Sequence, residues 1–427
     1  MVSTALVHIW GQLVGAVAWD ADSKTASFEY DAGFDLKKYA LAPIKMPEKG
    51  IIYSFPELAD TETFKGLPGL LADALPDRYG KELINIWLAQ QGRPENSLNP
   101  VELLCFVGKR GMGALEFEPA QELKTHPEAI ELSHLIDITK SILEEREKLL
   151  IHTSDEMKDV MISILKMGTS AGGARPKAII AYNEETGEIR SGQTLADSGF
   201  EHWLIKFDAV SDVQFGSATG YGKIEMTYYK MATDFGIDMM ESRLIEENDR
   251  VHFMTKRFDR ENGNQKIHIQ TFCAIQHYNF NNITSYSYEQ LFQTMRRLRL
   301  DYSEAEQMYK RMVFNILAKN CDDHTKNFSF MMKQGAKWQL APAYDVCFSY
   351  SPESYWVSQH NLSVNGKRKD FERKDLLEIA KQNNIRNPER IINEGVAIVN
   401  NWSQYAKDYD VDPKKIKAID NLLLKRL

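Results

Sequence analysis

The sequence predicts an α+β fold in which strand-rich segments come first and helices follow. Between residues 161 and 260 most apolar runs are short and bounded by turn residues, as at 178–182 and 202–207, which is typical of strands. From Tyr286 onward apolar residues recur almost throughout at helical spacing. A chain of 427 residues exceeds one ordinary domain, so two or three domains are expected.

The first region combines short strands with a helix. Residues 4–30 alternate apolar runs with turn signals, which predicts a small antiparallel meander. Residues 67–91 carry apolar side chains at helical spacing, and Pro76 must kink or break that helix. The turn Gly111-Met112-Gly113 leads into another short strand, and a charged helix expected near 137–149 marks a domain boundary.

Composition excludes several classes of protein. A net charge of -8 argues against nucleic-acid binding over the whole surface. The four cysteines are far apart in sequence, so they indicate a reducing compartment and neither a disulfide framework nor a zinc site. No run of about 18 apolar residues occurs, so no membrane span is expected. A cytoplasmic location follows as the expectation.

Two aspartates and an asparagine stand at a spacing that phosphoryl-transfer enzymes use. Asp322 is followed five positions later by Asn327, and Asp345 comes after a short apolar run. In protein kinases the first Asp accepts the proton of the attacking hydroxyl, while the Asn and the second Asp hold Mg²⁺ on the nucleotide phosphates. Asp and Asn are also common turn formers, so the spacing alone is a weak indication.

The segment before this polar loop (residues 321–327) strengthens the interpretation. Ser303-Glu304-Ala305-Glu306 has the capping-box pattern that begins a helix. Apolar side chains then recur at helical spacing and predict one buried face, formed by Met308, Met312, Ile316 and Leu317. A buried helix would hold the polar loop in a fixed position.

The strand-rich region supplies candidates for nucleotide binding. Segment 168–177 is a glycine-rich turn in which backbone N–H groups can approach phosphates and Lys177 adds a positive charge; a plain hairpin is the alternative. The next apolar strand presents Lys206, either as the partner of the α- and β-phosphates or as an ordinary solvent-facing lysine. Glu225, near the start of a helix predicted at 224–235, is the candidate to orient that lysine.

Seven segments spread over essentially the whole chain carry a combined pattern. They are G-L-P-G-L-L-A-D-A-L-P-D-R-Y-G at 66–80, G-M-G-A-L at 111–115, G-T-S-A-G-G-A-R-P-K at 168–177, H-W-L-I-K-F at 202–207, R-F-D-R at 257–260, N-C-D-D-H-T-K-N-F at 320–328 and P-A-Y-D at 342–345. Together they resemble the HipA family of bacterial serine/threonine kinases. The resemblance implies a two-lobed, phosphatidylinositol-kinase-like protein-kinase fold whose C-terminal lobe is all helical.

The resemblance also implies a domain division and roles for individual residues. The expected domains are a HipA-like N-terminal domain at 1–125, a kinase small lobe with the glycine-rich loop at 126–260 and a helical kinase lobe at 261–427. With ATP and Mg²⁺ as the implied cofactors, Asp322 matches the catalytic base, Asn327 and Asp345 the magnesium ligands, and Lys206 the phosphate-binding lysine. The remaining nucleotide-binding positions are Ser170, Ala171, Gly172, Gly173, Lys177, Lys256, Phe258, His324 and Lys326.

The family resemblance carries expectations about regulation and partners as well. Ser170 matches the loop serine that the family autophosphorylates to inactivate itself. A toxin–antitoxin role is implied, with a small helix-turn-helix antitoxin of the HipB type as partner and DNA reached mainly through that antitoxin. The implied substrate is a protein of translation, such as an aminoacyl-tRNA synthetase. Lys256 stands where a more acidic residue is expected in some relatives, which leaves side-chain recognition at the adenine open.

Two other classes of function stay open from the residues alone. Gly168-Thr169-Ser170-Ala171-Gly172 matches the G-x-S-x-G of serine hydrolases, with Asp345 and His360 following in the hydrolase order. A hydrolase serine leads into a helix, whereas Pro176 and the run after it favour a strand. The second alternative is a non-catalytic, DNA-associated scaffold. The complete set of phosphate and metal candidates argues against that reading.

Overall fold

The computed structural model describes residues 2–90, 92–120, 176–192, 196–208, 219–248 and 250–427. They divide into two compact units, the first within Met1–Thr219, Ile245–Ile269 and Lys333–Gly335, the second comprising Gly220–Leu244, Gln270–Met332 and Ala336–Leu427. The glycine-rich segment as far as residue 175 and the charged helix expected near 137–149 lie outside the described residues. The boundaries expected at residues 125 and 260 stay predictions.

The first unit opens with a four-stranded antiparallel sheet in the order β3-β2-β1-β4. Its strands are β1 (Thr4–Ile9), β2 (Gln12–Asp20), β3 (Thr25–Tyr30) and β4 (Leu115–Glu118). Strands β1 to β3 form the predicted meander. The tight connection between β1 and β2 uses Trp10 and Gly11, which both adopt positive φ angles. The strand predicted after Gly113 is β4, and it pairs with β1 from Leu6↔Glu118 to Ile9↔Leu115.

Helices follow the meander, and Pro76 separates two of them as predicted. They are α1 (Gly69–Ala72), α2 (Arg78–Gln90) and α3 (Pro100–Val107). A short 3-10 turn, Pro56–Leu58, precedes them. Asn99 caps α3 in a reciprocal capping box with Glu102, which fixes where the helix begins.

A five-stranded sheet forms the second layer of the first unit, in the order β6-β5-β7-β9-β8. Its strands are β5 (Lys177–Asn183), β6 (Ile189–Ser191), β7 (Phe200–Lys206), β8 (Ser242–Glu247, which enters this unit at Ile245) and β9 (Arg250–Lys256). A small hairpin follows, made of β10 (Arg260–Glu261) and β11 (Gln265–Lys266). One hydrophobic core joins α2 and α3 to this sheet, with Leu83, Phe106, Ile180, Trp203 and Met254 among its members.

The second unit is mainly helical. Its helices are α4 (Tyr221–Asp234), α5 (Phe272–Gln276), α6 (Tyr288–Arg297), α7 (Tyr302–Leu317), α8 (Arg373–Gln382), α9 (Pro388–Asn400), α10 (Trp402–Asp408) and α11 (Pro413–Asp420). Helix α7 lies at the centre, and Phe314 on it contacts Tyr228 of α4 edge-to-face. A Cβ at Gly395 would lie 2.9 Å from Leu317, so glycine permits the close approach of α9 to α7.

The C-terminal part is not all helical, which corrects the expectation for that lobe. It also contains the short strands β12 (His268–Thr271, which begins in the first unit), β13 (Tyr286–Ser287), β14 (Ser329–Met332), β15 (Gln339–Leu340) and β16 (Leu362–Ser363). They form a sheet ordered β12-β14-β15 and a parallel β13-β16 pair. Strands of two to four residues are too short to give a recognisable alternation of apolar and polar residues.

The N-cap of α7 lies two residues before the predicted one. Asp301, not Ser303, is the N-cap, and its reciprocal capping-box partner is Glu304. Both D-x-x-E and S-x-x-E patterns occur here, so the sequence allowed either start. The predicted buried face is confirmed, because all four of its residues are fully buried: Met308, Met312, Ile316 and Leu317. No helix in the described part of the chain is both long and apolar enough to cross a membrane.

Candidate active site

The polar loop follows the end of α7 and closes on itself. Its last residues form a 3-10 turn, Thr325–Asn327, and the side-chain amide of Asn327 donates a hydrogen bond of 2.6 Å to the backbone carbonyl of Asp322. This bond brings together Asp322 and Asn327, the two residues whose sequence spacing is typical of a kinase catalytic loop. The Asp322 carboxylate is 44% exposed, and its Oδ1 lies 3.9 Å from Nε2 of His324. A proton-accepting carboxylate needs such access to a substrate hydroxyl.

Asn327 and Asp345 line the same small cavity. Its lining consists of Ile237, Arg311, Phe314, Asn315, Asn320, Asp323, Asn327, Phe328, Ala343, Tyr344, Asp345 and Val346. Tyr344 ties the two segments together, because its hydroxyl donates to the carbonyl of Lys326 at 2.7 Å. Asp345 itself has a φ of 52°, in the left-handed region that Asp tolerates better than most residues.

The donors at this cavity suit magnesium. Mg²⁺ prefers oxygen ligands and is usually held by one or two carboxylates together with waters and substrate phosphates. The Asp345 carboxylate and the Asn327 amide oxygen are donors of that kind. Among the residues that the structure describes, no group of three or more His, Cys, Asp or Glu side chains is placed to hold a metal ion. A site of this type would therefore depend on phosphate oxygens for the remaining ligands.

Asp323, which the sequence did not single out, anchors the loop from behind. Its buried carboxylate accepts hydrogen bonds from the hydroxyl of Tyr288 (2.9 Å), from Nδ1 of His360 (2.9 Å) and from the backbone N–H of Asn361 (2.7 Å). Burial alone would lower the pKa of His360, but the Asp323 carboxylate outweighs it and raises that pKa to about 10. The pair is therefore a buried imidazolium and carboxylate at neutral pH.

The same network reaches the first residue of the polar loop and continues to helix α7. The amide of Asn361 donates to the carbonyl of Cys321 at 2.9 Å, and Asn315 donates to the Tyr288 hydroxyl at 3.0 Å. The Asp322-Asp323 doublet thus has one exposed and one buried carboxylate. The sequence shows the two adjacent aspartates, but it does not show which of them is buried. The residues that bond to Asp323 lie 35 to 38 positions away, so the spacing within the loop could not predict them.

Phe280 contacts two further residues of the polar loop. Its ring centroid lies 5.3 Å from the ring of His324, and the ammonium of Lys326 lies 4.9 Å from the same centroid. The Thr325 hydroxyl donates to the carbonyl of Tyr278 at 3.2 Å. The segment around Phe280 therefore holds the side of the loop that carries His324 and Lys326.

Lys206 stands at the end of β7 in the first unit, as predicted. In the register of the sheet it is paired with Lys177 on β5 and with Phe253 on β9, and its ammonium lies 5.9 Å from the Phe253 ring centroid. Lys177 is buried, and its ammonium lies 3.3 Å from the carboxylate of Asp77. The positive charge expected beside the glycine-rich turn therefore has a buried counter-charge.

The R-F-D-R segment after β9 forms a buried ion cluster. The carboxylate of Asp259 accepts hydrogen bonds from Arg257 (2.7 and 2.8 Å), from Arg260 (2.8 Å) and from the backbone N–H of Gly113 (2.7 Å). Burial would raise the pKa of Asp259, but the two guanidinium groups outweigh it and hold that pKa well below its usual range. Lys256, at the end of β9, pairs with Glu201, and Phe258 lies within the same segment.

The predicted site residues therefore fall into three groups. The second unit contains Asp322, His324, Lys326, Asn327 and Asp345, and the first contains Lys177, Lys206, Lys256 and Phe258. Ser170, Ala171, Gly172 and Gly173 lie outside the described residues. Glu225 is buried in α4 of the second unit, one turn inside the helix because α4 begins at Tyr221.

The chain is an α+β protein in which Asn327 and Asp345 line one cavity and Asn327 is bonded to the backbone of Asp322. Together with a lysine on a strand, Lys206, these residues are candidates for a phosphoryl-transfer site. Comparison with known families is more specific. Residues 5–118 match the model of the HipA N-terminal domain, and residues 169–402 match that of the HipA-like C-terminal domain. The chain belongs to the HipA family.

One solved structure shows the same fold. A chain from the complex of the Shewanella oneidensis MR-1 toxin–antitoxin system, HipA, HipB and operator DNA, is 17% identical, with a TM-score of 0.63 over 98% of this chain and 96% of that one. The proinflammatory kinase CtkA of Helicobacter pylori is 14% identical, with a TM-score of 0.36 over 60% of this chain and 90% of that one. No curated protein sequence matches the chain.

Proposed function

We propose that the chain is an ATP- and magnesium-dependent serine/threonine protein kinase of a HipA-like toxin–antitoxin system. Membership of the HipA family supports the class of activity. The observation that carries the proposal is that Asn327 and Asp345 line one cavity while Asn327 also closes the loop that presents Asp322. Phosphoryl transfer needs these three side chains near one another, because its catalysis rests on positioning and charge neutralisation.

Each residue has a defined task in this proposal. Asp322 accepts the proton of the attacking serine or threonine hydroxyl, and its exposure lets a protein substrate reach it. Asn327 and Asp345 hold Mg²⁺, which neutralises charge on the nucleotide phosphates when bound. Phe280 keeps His324 and Lys326 in place at the nucleotide side of the loop. The Asp323–His360 pair fixes the backbone of the loop from behind.

The first unit supplies the nucleotide contacts. Lys206 binds the phosphates, and backbone groups near Lys256 and Phe258 bind the adenine. Ser170, Ala171, Gly172 and Gly173 cover the phosphates through backbone N–H groups, with Lys177 at the base of that loop. We further propose that Ser170 is autophosphorylated and that this modification inactivates the enzyme.

Partners and substrate follow from the family. The solved complex with a similar fold contains HipA, HipB and operator DNA, which supports a HipB-like helix-turn-helix antitoxin as partner and DNA contact mainly through it. The proposed substrate is a protein of translation, such as an aminoacyl-tRNA synthetase, and the proposed location is the cytoplasm.

Magnesium-dependent ATP binding and phosphate transfer test the activity directly. Wild-type protein should bind Mg-ATP and transfer labelled phosphate to itself or to a protein substrate. Asp322→Asn should lose transfer by roughly 10²- to 10⁴-fold yet keep nucleotide binding. Asp345→Asn should also weaken the magnesium-dependent part of binding. Asp408→Asn, an exposed residue on α10, removes the same charge and should change neither. Absence of Mg-ATP binding by the wild type would refute the kinase and favour the scaffold.

The serine-hydrolase alternative loses support from His360. A hydrolase histidine must accept a proton from serine, but the pKa of His360 is about 10 and its Nδ1 is bonded to the buried Asp323. The ring is 2% exposed, so it is also inaccessible to a substrate. Hydrolysis of an activated ester that depends on Ser170 would reinstate this alternative.

A further inference from the structure

Two adjacent aromatic residues of the second unit, Tyr355 and Trp356, are exposed to solvent and are here called the aromatic pair. Tyr355 is 68% and Trp356 is 41% exposed, and none of the exposed large apolar side chains in the described part of the chain is more exposed than Tyr355. The two rings contact each other edge-to-face, with centroids 5.1 Å apart. Tyrosine and tryptophan combine apolar area with a polar tip and are enriched where proteins bind other proteins.

The loop that carries the aromatic pair is closed by its own hydrogen bonds. The backbone N–H of Ser351 donates to the carbonyl of Val357 at 3.3 Å, and the N–H of Ser358 donates to the carbonyl of Ser354 at 3.1 Å. The N–H of Trp356 donates to the hydroxyl of Ser354 at 3.2 Å. The aromatic pair therefore lies on a folded turn, which reduces the conformational entropy that is lost when a partner binds.

A single side chain holds this loop beside the polar loop. The amide nitrogen of Asn361 donates to the carbonyl oxygen of Cys321 at 2.9 Å and to that of Trp356 at 3.0 Å. Because both oxygens bond to one nitrogen, they are at most about 6 Å apart. Cys321 directly precedes Asp322, whose carboxylate is 44% exposed. The backbone of the aromatic pair is therefore close to that of the proposed proton acceptor.

We propose that the aromatic pair binds an apolar side chain of the protein substrate, close in sequence to the serine or threonine that is phosphorylated. This inference rests on the proposed kinase function and adds a sequence preference to it. A substrate hydroxyl at Asp322 brings the residues on either side of it along the neighbouring surface. Because an extended peptide advances about 3.3 Å per residue, the recognised side chain should lie within about four residues of the phosphorylated one.

Alanine substitution removes the aromatic rings and keeps the bonds of the loop. Trp356 takes part in those bonds through its backbone N–H and carbonyl, which alanine also has. The test therefore uses the full chain with Tyr355→Ala, with Trp356→Ala and with both. Ile52→Ala is the control, because Ile52 is 66% exposed and lies in the first unit. Every variant should keep the Tm and the Kd for Mg-ATP of the wild type.

The probes are synthetic serine peptides in which each position near the serine is in turn Leu, Gln or Arg. The measured quantities are kcat and KM for phosphate transfer from Mg-ATP to each peptide. We expect the wild type and Ile52→Ala to prefer Leu over Gln at one position by about tenfold in kcat/KM, as for one well-packed apolar contact. The double variant should lose most of this preference through a higher KM for the Leu peptides.

The other outcomes decide against the aromatic pair or against the kinase. A wild type without a preference for Leu, or a preference that survives in the double variant, overturns this inference and leaves the kinase intact. An equal loss of kcat/KM for every peptide overturns it too, because the pair would then only support the loop. A preference for Arg that the double variant loses would show binding of a cation and overturn the apolar contact.

A wild type that phosphorylates itself but no peptide also overturns this inference, because a surface that reads one neighbouring side chain should act on short peptides. A wild type that transfers no phosphate at all overturns the kinase, and this inference with it.

Discussion

The backbone N–H of Gly113 donates a hydrogen bond of 2.7 Å to the carboxylate of Asp259, which lies 146 residues further along the chain. Arg260 reinforces the connection by donating to the carbonyls of Gly113 (3.2 Å) and Gly111 (3.1 Å). Gly113 has a φ of 77°, and a Cβ there would lie 3.1 Å from Ile269, so both its conformation and its surroundings favour glycine. The turn before β4 is therefore fixed to the segment after β9.

Asp259→Asn is expected to lower the free energy of unfolding by about 3–5 kcal/mol, because it leaves two buried guanidinium groups without their counter-charge. Urea denaturation measures the change. Glu261→Gln is the matched control, since Glu261 forms a half-exposed ion pair with Lys333 and should cost less than about 1 kcal/mol. Equal, small effects of both substitutions would contradict a structural role for the cluster.

Stability should fall as the pH rises from about 6.5 to about 10, in part because of His360. Its pKa is about 10 in the folded protein against 6.5 for an ordinary histidine, so over this range the folded state keeps a proton that the unfolded state has lost. The stabilisation is complete below pH 6.5 and is lost as the pH approaches 10. The slope is up to about 1.4 kcal/mol per pH unit.

His360→Gln tests the source of this pH dependence. The variant should be less stable at pH 6.5, and the stability difference from the wild type should shrink as the pH rises. Denaturant titrations at half-unit pH steps measure it. A difference that stays constant between pH 6.5 and 10 would show that His360 is not protonated in the folded state.

Lys206→Ala should weaken Mg-ATP binding by about tenfold or more while the Tm changes little. The lysine loses its attraction to phosphate, whereas its strand neighbours Trp203 and Ile205 remain in the core. Calorimetry and thermal melting measure the two quantities, with Lys230→Ala on the exposed side of α4 as the control. Loss of the cooperative melting transition would identify Lys206 as a structural residue.

Ser170 should carry phosphate after incubation with Mg-ATP, and the modified protein should bind ATP more weakly. A phosphoserine adds about -1.5 to -2 charges at neutral pH, which repels the phosphates of the nucleotide. Tandem mass spectrometry locates the phosphate, and Ser170→Ala should remove it. Modification of another residue, or full ATP affinity of the phosphorylated protein, would contradict the proposed switch.

Local relationships were predictable from the sequence, and distant charge pairs were not. Asp322 and Asn327 are neighbours because Asn327 follows only five positions after Asp322. Pro76 separates two helices because a proline cannot continue the backbone hydrogen bonds of a helix. The start of α7 was predicted two residues late, because Asp301 and Ser303 both head a capping-box pattern. The buried ion pairs Asp323–His360 and Asp77–Lys177 were not predictable, because a sequence does not show which distant charges come together in the folded protein.

The left-handed backbone at Asp345 restricts the residues that can replace it. Glutamate would keep the negative charge, but its longer side chain is poorly suited to a φ of 52°, whereas asparagine accepts the backbone and loses the charge. Glycine would satisfy the conformation alone. The residue at position 345 must therefore tolerate a left-handed backbone and also carry a negative charge, and aspartate does both. In a mutational scan of all amino acids at this position, folding and magnesium binding should therefore fail for different substitutions.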